Sequence, residues 1–572
     1  MKRRLIALTL VAALASAAQA TAADLHVDCS APAAGDGTAA TPFNALGPGF
    51  ELGPGDRLLL RRGTTCEGLL RITGGGSSAQ PAMIDGYGEG ERPRVVGTSR
   101  DAVLIEDASN LTLTGLDLSN PGSAGPLGEG DQVRNGVRIV ALSGPVTNLT
   151  VSGLEIHDVD GDLTKNPEGS AGIQVSATGP PPARFVDLSI RDNRISSVSR
   201  SGISITGTTD PDRPAADQPW PEASTGVVIE ENRIDLIAGD GIVPRGTDGA
   251  IVRDNVVSRG NLAGRPLLDP AGPMCNAGIW TFRSNNTQIR GNEVFGMEHN
   301  GCDGTGFDVD YRQDGTVIEG NYSHDNEGGF VLLCTDEETH RADVRFNLSV
   351  DDGTMINHGP CGLAEGILGD LSGIRMFNNT VVADSPTVSV QLGVQSEMYE
   401  PGDFLFRNNL VYARQPSARI PCGKGCSHNG FFNLPASGSD AVTADPLLTD
   451  GYRLTPNSPL RGAGTSIPGG AETDFFGNPV PAVPSIGFDQ APATIAPGPS
   501  RACLKARTAR NRAQRKVKAL NRRLRSLRQH QAGRSRIRTG VRRLRKARSA
   551  AKRQARAARR ICSKAAPSGL LR

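Results

Sequence analysis

The chain is poor in aromatic residues, in lysine and in long apolar runs. Aromatic residues make up 4% of its 572 residues, and between residues 23 and 500 the only lysines are Lys165 and Lys424. The apolar run from Leu5 to Leu14 is shorter than the ~20 residues that a membrane-spanning helix needs. No later stretch is apolar enough, so we expect no transmembrane segment. A lysine base would have to be one of two residues, both in loop-like sequence away from the central repeats.

The N-terminus has the pattern of a secretory signal. Met1-Lys2-Arg3-Arg4 precedes the apolar run, and Ala18-Gln19-Ala20 supplies small residues for a cleavage site between Ala20 and Ala23. We therefore predict a signal peptide over residues 1–22 and a secreted or cell-surface protein.

Ten cysteines in a secreted chain predict disulfides, because oxidising compartments favour them. The cysteine spacings do not fit a zinc ribbon. Their order favours pairing between neighbours: Cys29–Cys66, Cys275–Cys302, Cys334–Cys361, Cys422–Cys426 and Cys503–Cys562.

Acidic residues are absent from residues 501–572, which contain 27 lysines and arginines. The other 500 residues hold 35 basic and 60 acidic residues, a net charge of −25. Apolar residues at helical spacing lie on both sides of Gly533, and Cys503 and Cys562 are almost equidistant from it. After a linker over 491–502, we predict a basic α-helical hairpin over 503–572, with a disordered basic tail as the alternative.

The central region repeats two short patterns. Strand-like runs with alternating polarity end at asparagines spaced 23 to 39 residues apart: Asn193, Asn232, Asn255, Asn292, Asn321, Asn347, Asn379 and Asn409. A second set of runs begins with Gly and a large apolar residue, as in Gly278-Ile279, Gly306-Phe307 and Gly329-Phe330. A period of this length predicts a solenoid of short parallel strands. Each Asn is expected to adopt a tight corner conformation and to bond the next Asn along the axis.

The segment that follows the signal contains Val27-Asp28, Gly35-Asp36-Gly37-Thr38, Pro54-Gly55-Asp56 and Pro81-Ala82-Met83-Ile84-Asp85-Gly86-Tyr87. This succession resembles the opening of secreted bacterial right-handed parallel β-helix proteins of the pectate-lyase-like superfamily. Asp445-Pro446-Leu447 and Ser458-Pro459 are similar to the closing segment of such proteins, which precedes a variable surface-attachment element.

The resemblance implies an all-β, right-handed parallel β-helix, here followed by the short basic helical hairpin. We expect an N-terminal cap and first coil over 23–98, the β-helix over 99–415 and the closing segment over 416–490.

The densest set of ionisable residues lies between Ala277 and Cys334. Alternation places Phe307 and Val309 in the core and directs Asp308 and Asp310 outward, about 6.5–7 Å apart. Such a separation suits an inverting glycosidase, in which one carboxyl protonates the leaving oxygen and the other activates water. Alternatively these carboxylates hold Ca²⁺ with Asp303 or Asp325, or form an acidic solvated face.

His299 and His324 precede successive Gly-apolar strands and are candidate bases for a lyase or epimerase. The Gly-Phe-Asp at 306–308 resembles the active-site turn of β-helix alginate epimerases, but Val309-Asp310 replaces their Pro-His. Candidate substrate-binding residues are Trp280, Tyr311, Arg312, Arg283 and Arg245, because Trp can stack on a sugar ring and Arg can neutralise a carboxylate.

We therefore predict a carbohydrate-active protein that binds a polysaccharide, with anionic polysaccharides included, along its outer groove. The reactions considered are hydrolysis by the paired aspartates and a lyase or epimerase reaction by a histidine. The alternative is a non-catalytic surface or adhesion protein. The basic tail is expected to bind an anionic cell-wall polymer, with no nucleic acid as partner. Ca²⁺ is the one cofactor considered, and a monomer is expected.

Overall fold

The computed structural model describes residues 22–492 except 124, 126, 128–129, 166–167, 180–182, 208–213, 265–273, 335–338, 354–355, 360–370 and 386–400, together with residues 546, 549, 550 and 553. Within this part, every pairing between named strands is parallel, and the strands form three long sheets and one short one. The chain passes from sheet to sheet in each turn, which is the architecture of a parallel β-helix. The predicted all-β fold is thereby confirmed.

The strands of the three long sheets have the following bounds. Sheet A contains Asp24–Val27, Arg57–Arg61, Ala82–Tyr87, Leu111–Thr114, Pro145–Ser152, Arg184–Arg191, Ser224–Thr225, Val228–Glu230, Thr247–Asp248, Ile251–Arg253, Gln288–Arg290, Val317–Glu319, Asp343–Arg345, Ile374–Phe377, Phe404–Arg407 and Cys426–Ser427. Sheet B contains Phe50–Leu52, Leu70–Gly74, Asp101–Glu106, Asn135–Ala141, Ala171–Ala177, Ser201–Thr206, Ile242–Arg245, Ile279–Thr281, Thr305–Val309, Gly329–Cys334 and Ile356–Gly359. Sheet C contains Thr65–Glu67, Arg94–Val96, Asp117–Asn120, Glu155–Val159, Arg194–Val198, Arg233–Ile237, Val256–Ser258, Glu293–Phe295, Tyr322–His324, Leu348–Val350, Thr380–Ala383, Leu410–Ala413 and Gly430–Phe432. The short sheet pairs Thr339–His340 with Leu371–Ser372.

A single coil shows how the sequence patterns map onto the sheets. Val317–Glu319 lies in sheet A, Tyr322–His324 in sheet C and Gly329–Cys334 in sheet B. The runs that end at asparagine are thus sheet A strands, and the Gly-apolar runs are sheet B strands, as predicted. In sheet B, Phe307 is in register with Val331 of the next coil, and both are fully buried in the core.

The asparagines form a continuous ladder at the corner between sheets A and C. At each step the side-chain amide donates to the Oδ1 of the next asparagine, from Asn193 through Asn409 to Asn429. Asn321, in the middle, is fully buried and also donates to the carbonyl oxygen of Ile289. The predicted bonding between stacked asparagines is confirmed, and Asn429 extends the ladder by one member.

The expectation that the asparagine itself takes the tight corner conformation is wrong. The left-handed residue is the one before it: Glu231 has a φ of 56° and Gly320 has a φ of 64°, whereas no ladder asparagine after them is left-handed. This arrangement leaves the asparagine free to direct its amide along the axis, while its predecessor makes the turn. Gly is suited to that preceding position because it has no Cβ.

The corner geometry predicts opposite effects for two substitutions. Glu231 is exposed and left-handed, so Glu231→Gly should stabilise the fold by roughly 0.5–1 kcal/mol. At Gly320 nothing lies within 4 Å of an added Cβ, so Gly320→Ala should cost a similar amount through backbone strain alone. Urea denaturation measures the change in the free energy of unfolding for each variant. Changes of the same sign would contradict the assignment of the left-handed residue at this corner.

The ends of the solenoid differ in part from the expected limits. Strands of all three sheets already occur between Phe50 and Val96, and sheet pairing continues to Phe432, so the ladders extend beyond 99–415 on both sides. The segment after Phe432 folds back over the last coils: Ile486 packs with Leu410, and Phe488 packs with Val382. It therefore covers apolar surface that the final coils would otherwise expose.

Three predicted disulfides are present: Cys29–Cys66, Cys275–Cys302 and Cys422–Cys426. The predicted pairs Cys334–Cys361 and Cys503–Cys562 lie outside the fully described residues. Of the predicted hairpin, the described residues Lys546, Ser549, Ala550 and Arg553 are helical, and the remainder also lies outside that part. None of the helical residues among those described belongs to a helix long and apolar enough to cross a membrane.

Candidate functional site

The outer face of sheet B carries an enclosed acidic cluster. Asp308 lies in register between Trp280 of the preceding coil and Leu332 of the next, and its neighbours Phe307 and Val309 point into the core. Asp308 therefore points outward, as predicted, yet only 4% of it is exposed. Asp310, just past the end of the strand, is 7% exposed. The alternative of an acidic solvated face does not fit this enclosure.

A fully buried ion pair supports this face from the preceding coils. Asp240 accepts hydrogen bonds from the Arg200 guanidinium at 2.6 Å, the Trp280 indole N–H at 3.0 Å and the backbone N–H of Ala277 at 3.1 Å. Burial opposes ionisation of Asp240, but the charges of Arg200, Lys165 and Arg245 outweigh it and hold its pKa below the usual range. The indole of Trp280 is thus fixed by a permanent carboxylate.

Two cations lie against the Trp280 ring. The Lys165 ammonium is 5.0 Å from the ring centre and the Arg245 guanidinium carbon is 5.4 Å from it, both within cation–π range. Lys165 also donates to the carbonyl oxygen of Cys275. Arg245 is 6% exposed, and burial lowers its pKa to about 10. The expectation that Lys165 lies away from the central coils is therefore wrong.

Asp303 joins the cluster through the loop before the Asp308 strand. Its backbone is bridged to Asn276 of the preceding coil, and the adjacent Cys302 forms the disulfide with Cys275. Among the described residues, one group of three potential metal ligands is close together, and it consists of Asp303 and these two cysteines. Because the cysteines are joined in a disulfide, this group does not fit a metal. Asp325, the other candidate Ca²⁺ ligand, is not part of it.

The three aspartates have unequal acidities. Burial raises the pKa of Asp308 well above its usual range, and the carboxylates of Asp310 and Asp303 act in the same direction. Burial raises the pKa of Asp310 to about 7, against the opposing charge of Lys165. Burial also raises the pKa of Asp303, which Lys165 again opposes, and this side chain remains partly exposed. Burial and the neighbouring carboxylates therefore favour the protonated form of Asp308, and Asp310 is near its midpoint at neutral pH.

Several buried polar atoms of this face lack a hydrogen-bond partner among the described residues. They include Oδ1 of Asp308 and Nε of Arg245, which lie on the same outer face of sheet B. Leaving a buried polar atom unpaired costs about 1–3 kcal/mol, so native proteins seldom retain such atoms without a use. An acid oxygen and a guanidinium N–H are suited to contact a polar ligand.

The protonated state of Asp308 has a consequence for stability. Its folded-state pKa is higher than the unfolded value, so the folded protein binds more protons and loses stability as pH rises above about 4. Asp308→Asn retains a neutral group and removes this loss, so we expect its Tm to exceed that of the wild type by about 2 °C or more at pH 8 and to match it near pH 4. Thermal unfolding from pH 4 to 8 measures this difference. Asp254→Asn, at an exposed aspartate, is the control; a Tm gain independent of pH would contradict the assignment.

The two candidate histidines are not brought together. His299 is exposed, and its Nδ1 bonds the carbonyl oxygen of Asp303 at 2.7 Å, which places it at the rim of the cluster. His324 lies in sheet C, stacked between Phe295 and Tyr322. Burial opposes its charge, but hydrogen bonds to Asp325 and Glu293 outweigh burial and raise its pKa to about 9. A histidine that is protonated at neutral pH is a poor general base.

The other predicted contact residues divide between the cluster and the turn beside it. Arg245 and Trp280 belong to the cluster, but Trp280 is 3% exposed and its ring already carries two cations. Tyr311 lies past the end of its strand, with its ring 5.9 Å from that of Phe282. The backbone N–H of Arg283 donates to the carbonyl of Tyr311, and Arg312 follows in a left-handed conformation.

The sequence patterns gave no direct indication of Lys165 or Asp240. Lys165 comes from a loop 110 residues before Cys275, so no local spacing relates it to the aspartates. Its rarity, as one of two lysines between residues 23 and 500, was the available signal. Asp240 stands between two glycines immediately before a Gly-apolar strand, a context shared with many surface turns.

Comparison with known proteins agrees with this architecture. Residues 171–364 match the family model described as right handed beta helix region. Together with the parallel sheets described above, this match agrees with the right-handed parallel β-helix fold predicted from the sequence.

Two relatives are lacto-N-biosidases. The chain is 24% identical over 566 residues to lacto-N-biosidase from Bifidobacterium longum, a match that covers 76% of this chain and 34% of the relative. The chain thus spans about a third of the length of that curated relative. The crystal structure of GH136 lacto-N-biosidase from Eubacterium ramulus has a TM-score of 0.54 at 24% identity, covering 74% of this chain and 68% of that one. Pectate lyase Pel9A is also similar, with a TM-score of 0.37 at 11% identity over 82% of this chain and 97% of that one.

Proposed function

We propose that the protein is a secreted carbohydrate-active enzyme that hydrolyses glycosidic bonds at the outer face of sheet B. The observation that carries this proposal is the group of two enclosed aspartates and one partly exposed aspartate, with unequal acidities, next to a buried guanidinium. Glycoside hydrolysis needs one carboxyl that holds a proton and one that has lost it. The similarity to lacto-N-biosidases supports the same class of reaction.

The acid is Asp310, and the ionised carboxylate is Asp303. A general acid works best with a pKa near the working pH, and burial brings that of Asp310 to about 7. Burial and the neighbouring carboxylates favour the protonated form of Asp308, which does not suit a base or a nucleophile. Asp303 is partly exposed and faces the charge of Lys165, which favours its ionised form. This replaces the pair of Asp308 and Asp310 expected from alternation.

The steps are those of acid-assisted hydrolysis. Asp310 donates its proton to the glycosidic oxygen as the bond to the anomeric carbon breaks. The leaving sugar departs as an alcohol. Asp303 either removes a proton from the water that attacks the anomeric carbon, or attacks that carbon itself and forms a glycosyl ester, which a water deprotonated by Asp310 then hydrolyses to free Asp303. Arg245, with Nε lacking a partner among the described residues, donates to a hydroxyl or carboxylate of the substrate.

The substrate is a polysaccharide or an oligosaccharide with an accessible glycosidic bond. Lacto-N-biosides are the first class to test because of the two relatives, and polysaccharides with anionic sugars are the second because of the arginine. Secretion fits the signal-like N-terminus and the disulfides, and the basic tail is proposed to bind an anionic polymer of the cell surface.

A reaction screen tests the proposal. The full-length protein is incubated with lacto-N-biosides and with neutral and uronate polysaccharides, and new reducing ends and unsaturated uronate absorbance are measured. Reducing ends without that absorbance, lost in an Asp303→Asn/Asp310→Asn double variant, are expected. Unsaturated products would indicate a lyase instead, and binding without any product would indicate the non-catalytic surface protein.

A further inference from the structure

Lys165 reaches the aspartate cluster from a distant part of the chain. It lies in the loop between strands Glu155–Val159 and Ala171–Ala177, yet its ammonium contacts the Cys275 carbonyl and the Trp280 ring. From the strand that follows this loop to the Trp280 strand is three steps along sheet B, or about 14 Å. Lys165 therefore brings a cation to the outer face of the sheet at a point well removed from the strands that flank it in sequence.

The charges around this cation are predominantly negative. Carboxyl groups come from Asp240 on one coil and from Asp303, Asp308 and Asp310 on the next but one, and each interacts with the Lys165 charge. The positive groups on the same face are Arg200, which is engaged by Asp240, and Arg245. His299 lies at the rim, bonded to the Asp303 carbonyl. Lys165 is the exposed cation of the set and the one supplied by a distant loop.

We propose that Lys165 is a positioning residue that determines which aspartates of the cluster keep their protons. The proposal rests on the proposed function, since it concerns the same acid and carboxylate. An ammonium next to several carboxyls favours the ionised form of those it can approach. It keeps Asp303 ionised and prevents Asp310 from holding its proton too firmly to donate it. Lys165 itself transfers no proton.

The kinetic test compares three variants by the pH dependence of kcat/KM. Lys165→Gln removes the charge with a similar length, Lys165→Arg retains it, and Lys424→Gln removes the other lysine of the body, in the Cys422–Cys426 loop. In the wild type, activity is expected to fall at low pH as Asp303 takes up a proton and at high pH as Asp310 loses one. For Lys165→Gln both of these limbs of the pH profile should move to higher pH, by roughly one pH unit. Lys165→Arg should retain most of the wild-type profile, and Lys424→Gln all of it. A uniform fall in kcat/KM with unmoved limbs would overturn the proposal.

Thermal unfolding tests the same point without activity. Protonation removes the negative charges of Asp303 and Asp310 at low pH while Asp240 stays ionised, so the Tm difference between wild type and Lys165→Gln should be smaller at pH 4 and increase between pH 5 and 8. A merely structural lysine, bonded to the Cys275 carbonyl alone, would give the same difference at every pH and would refute the inference. If Asp303→Asn and Asp310→Asn both retain activity, the proposed function fails, whereas this measurement still decides the role of Lys165.

Discussion

Asp310→Asn is expected to lower kcat/KM for glycoside hydrolysis about 1,000-fold. The amide is close to the carboxyl in shape but has no proton to donate to the leaving oxygen, and general acid catalysis contributes about 10²–10⁴-fold. In the wild type, activity should fall as pH rises through about 7, because that is the pKa to which burial raises Asp310. Initial rates from pH 4 to 9 measure both the loss and the position of this limb.

Asp303→Asn should cause a loss of similar size for a different reason. Its carboxylate must be ionised to attack the anomeric carbon or to activate water, so activity should also fall at low pH as Asp303 takes up a proton. Burial raises the pKa of Asp303 and the charge of Lys165 opposes this rise, so the acid limb should lie at higher pH than for an ordinary aspartate. Proton NMR of the first sugar released distinguishes direct attack, which retains the anomeric configuration, from attack by water, which inverts it.

The matched control is Asp308→Asn. Because burial and the neighbouring carboxylates favour the neutral form of Asp308, the substitution should change kcat/KM by less than about 10-fold. If instead Asp308→Asn is inactive while Asp303→Asn is active, the pair expected from strand alternation, Asp308 with Asp310, would be the catalytic one. Circular dichroism of each variant separates loss of chemistry from loss of fold.

The features that follow from stacking could be predicted from the sequence. Each coil must bury one face, so alternation correctly placed Phe307 inward and Asp308 outward. A corner repeated at coil spacing identified the asparagine ladder from Asn193 to Asn409. Three of the five predicted disulfides are present, and in Cys29–Cys66 and Cys275–Cys302 the partners come from neighbouring coils, which lie about 4.8 Å apart along the axis.

The composition of the site could not be predicted in the same way. Alternation of apolar and polar residues indicates whether a side chain points into or out of the coil, but not which residues cover it. The burial of Asp308 on the outer face was therefore not predicted. Lys165 contacts partners that lie three steps further along sheet B, and Asp303 is held next to a disulfide on a loop outside the named strands. His324, in contrast, was expected near Asp308 because it precedes the next Gly-apolar strand, but it lies in sheet C.

Asn321→Leu is expected to destabilise the fold by about 3–5 kcal/mol. Oδ1 of Asn321 accepts the backbone N–H and the side-chain amide of Asn292, at 2.9 and 3.0 Å. Its own amide donates to the Ile289 carbonyl at 2.9 Å and to Oδ1 of Asn347 at 3.0 Å. Leucine offers none of these bonds, and each buried group left without a partner costs about 1–3 kcal/mol. In two coils that precede the asparagine ladder, the equivalent corner position is occupied by Leu116 and Leu154. The size of leucine is therefore compatible with this corner.

Asn321→Asp separates hydrogen bonding from shape in the same position. The carboxylate is isosteric with the amide and still accepts from Asn292, but it faces the Ile289 and Asn347 oxygens with a buried negative charge. We expect a larger loss than for leucine at pH 7 and a partial recovery as the pH falls, because the protonated acid can donate one bond. Asn148→Ala, at an exposed asparagine with one bond to Asn110, should cost about 1 kcal/mol or less. Urea denaturation at pH 5 and 7 gives all three values. If Asn321→Leu lowers the free energy of unfolding by less than about 1 kcal/mol, side-chain shape and not amide hydrogen bonding stabilises this corner.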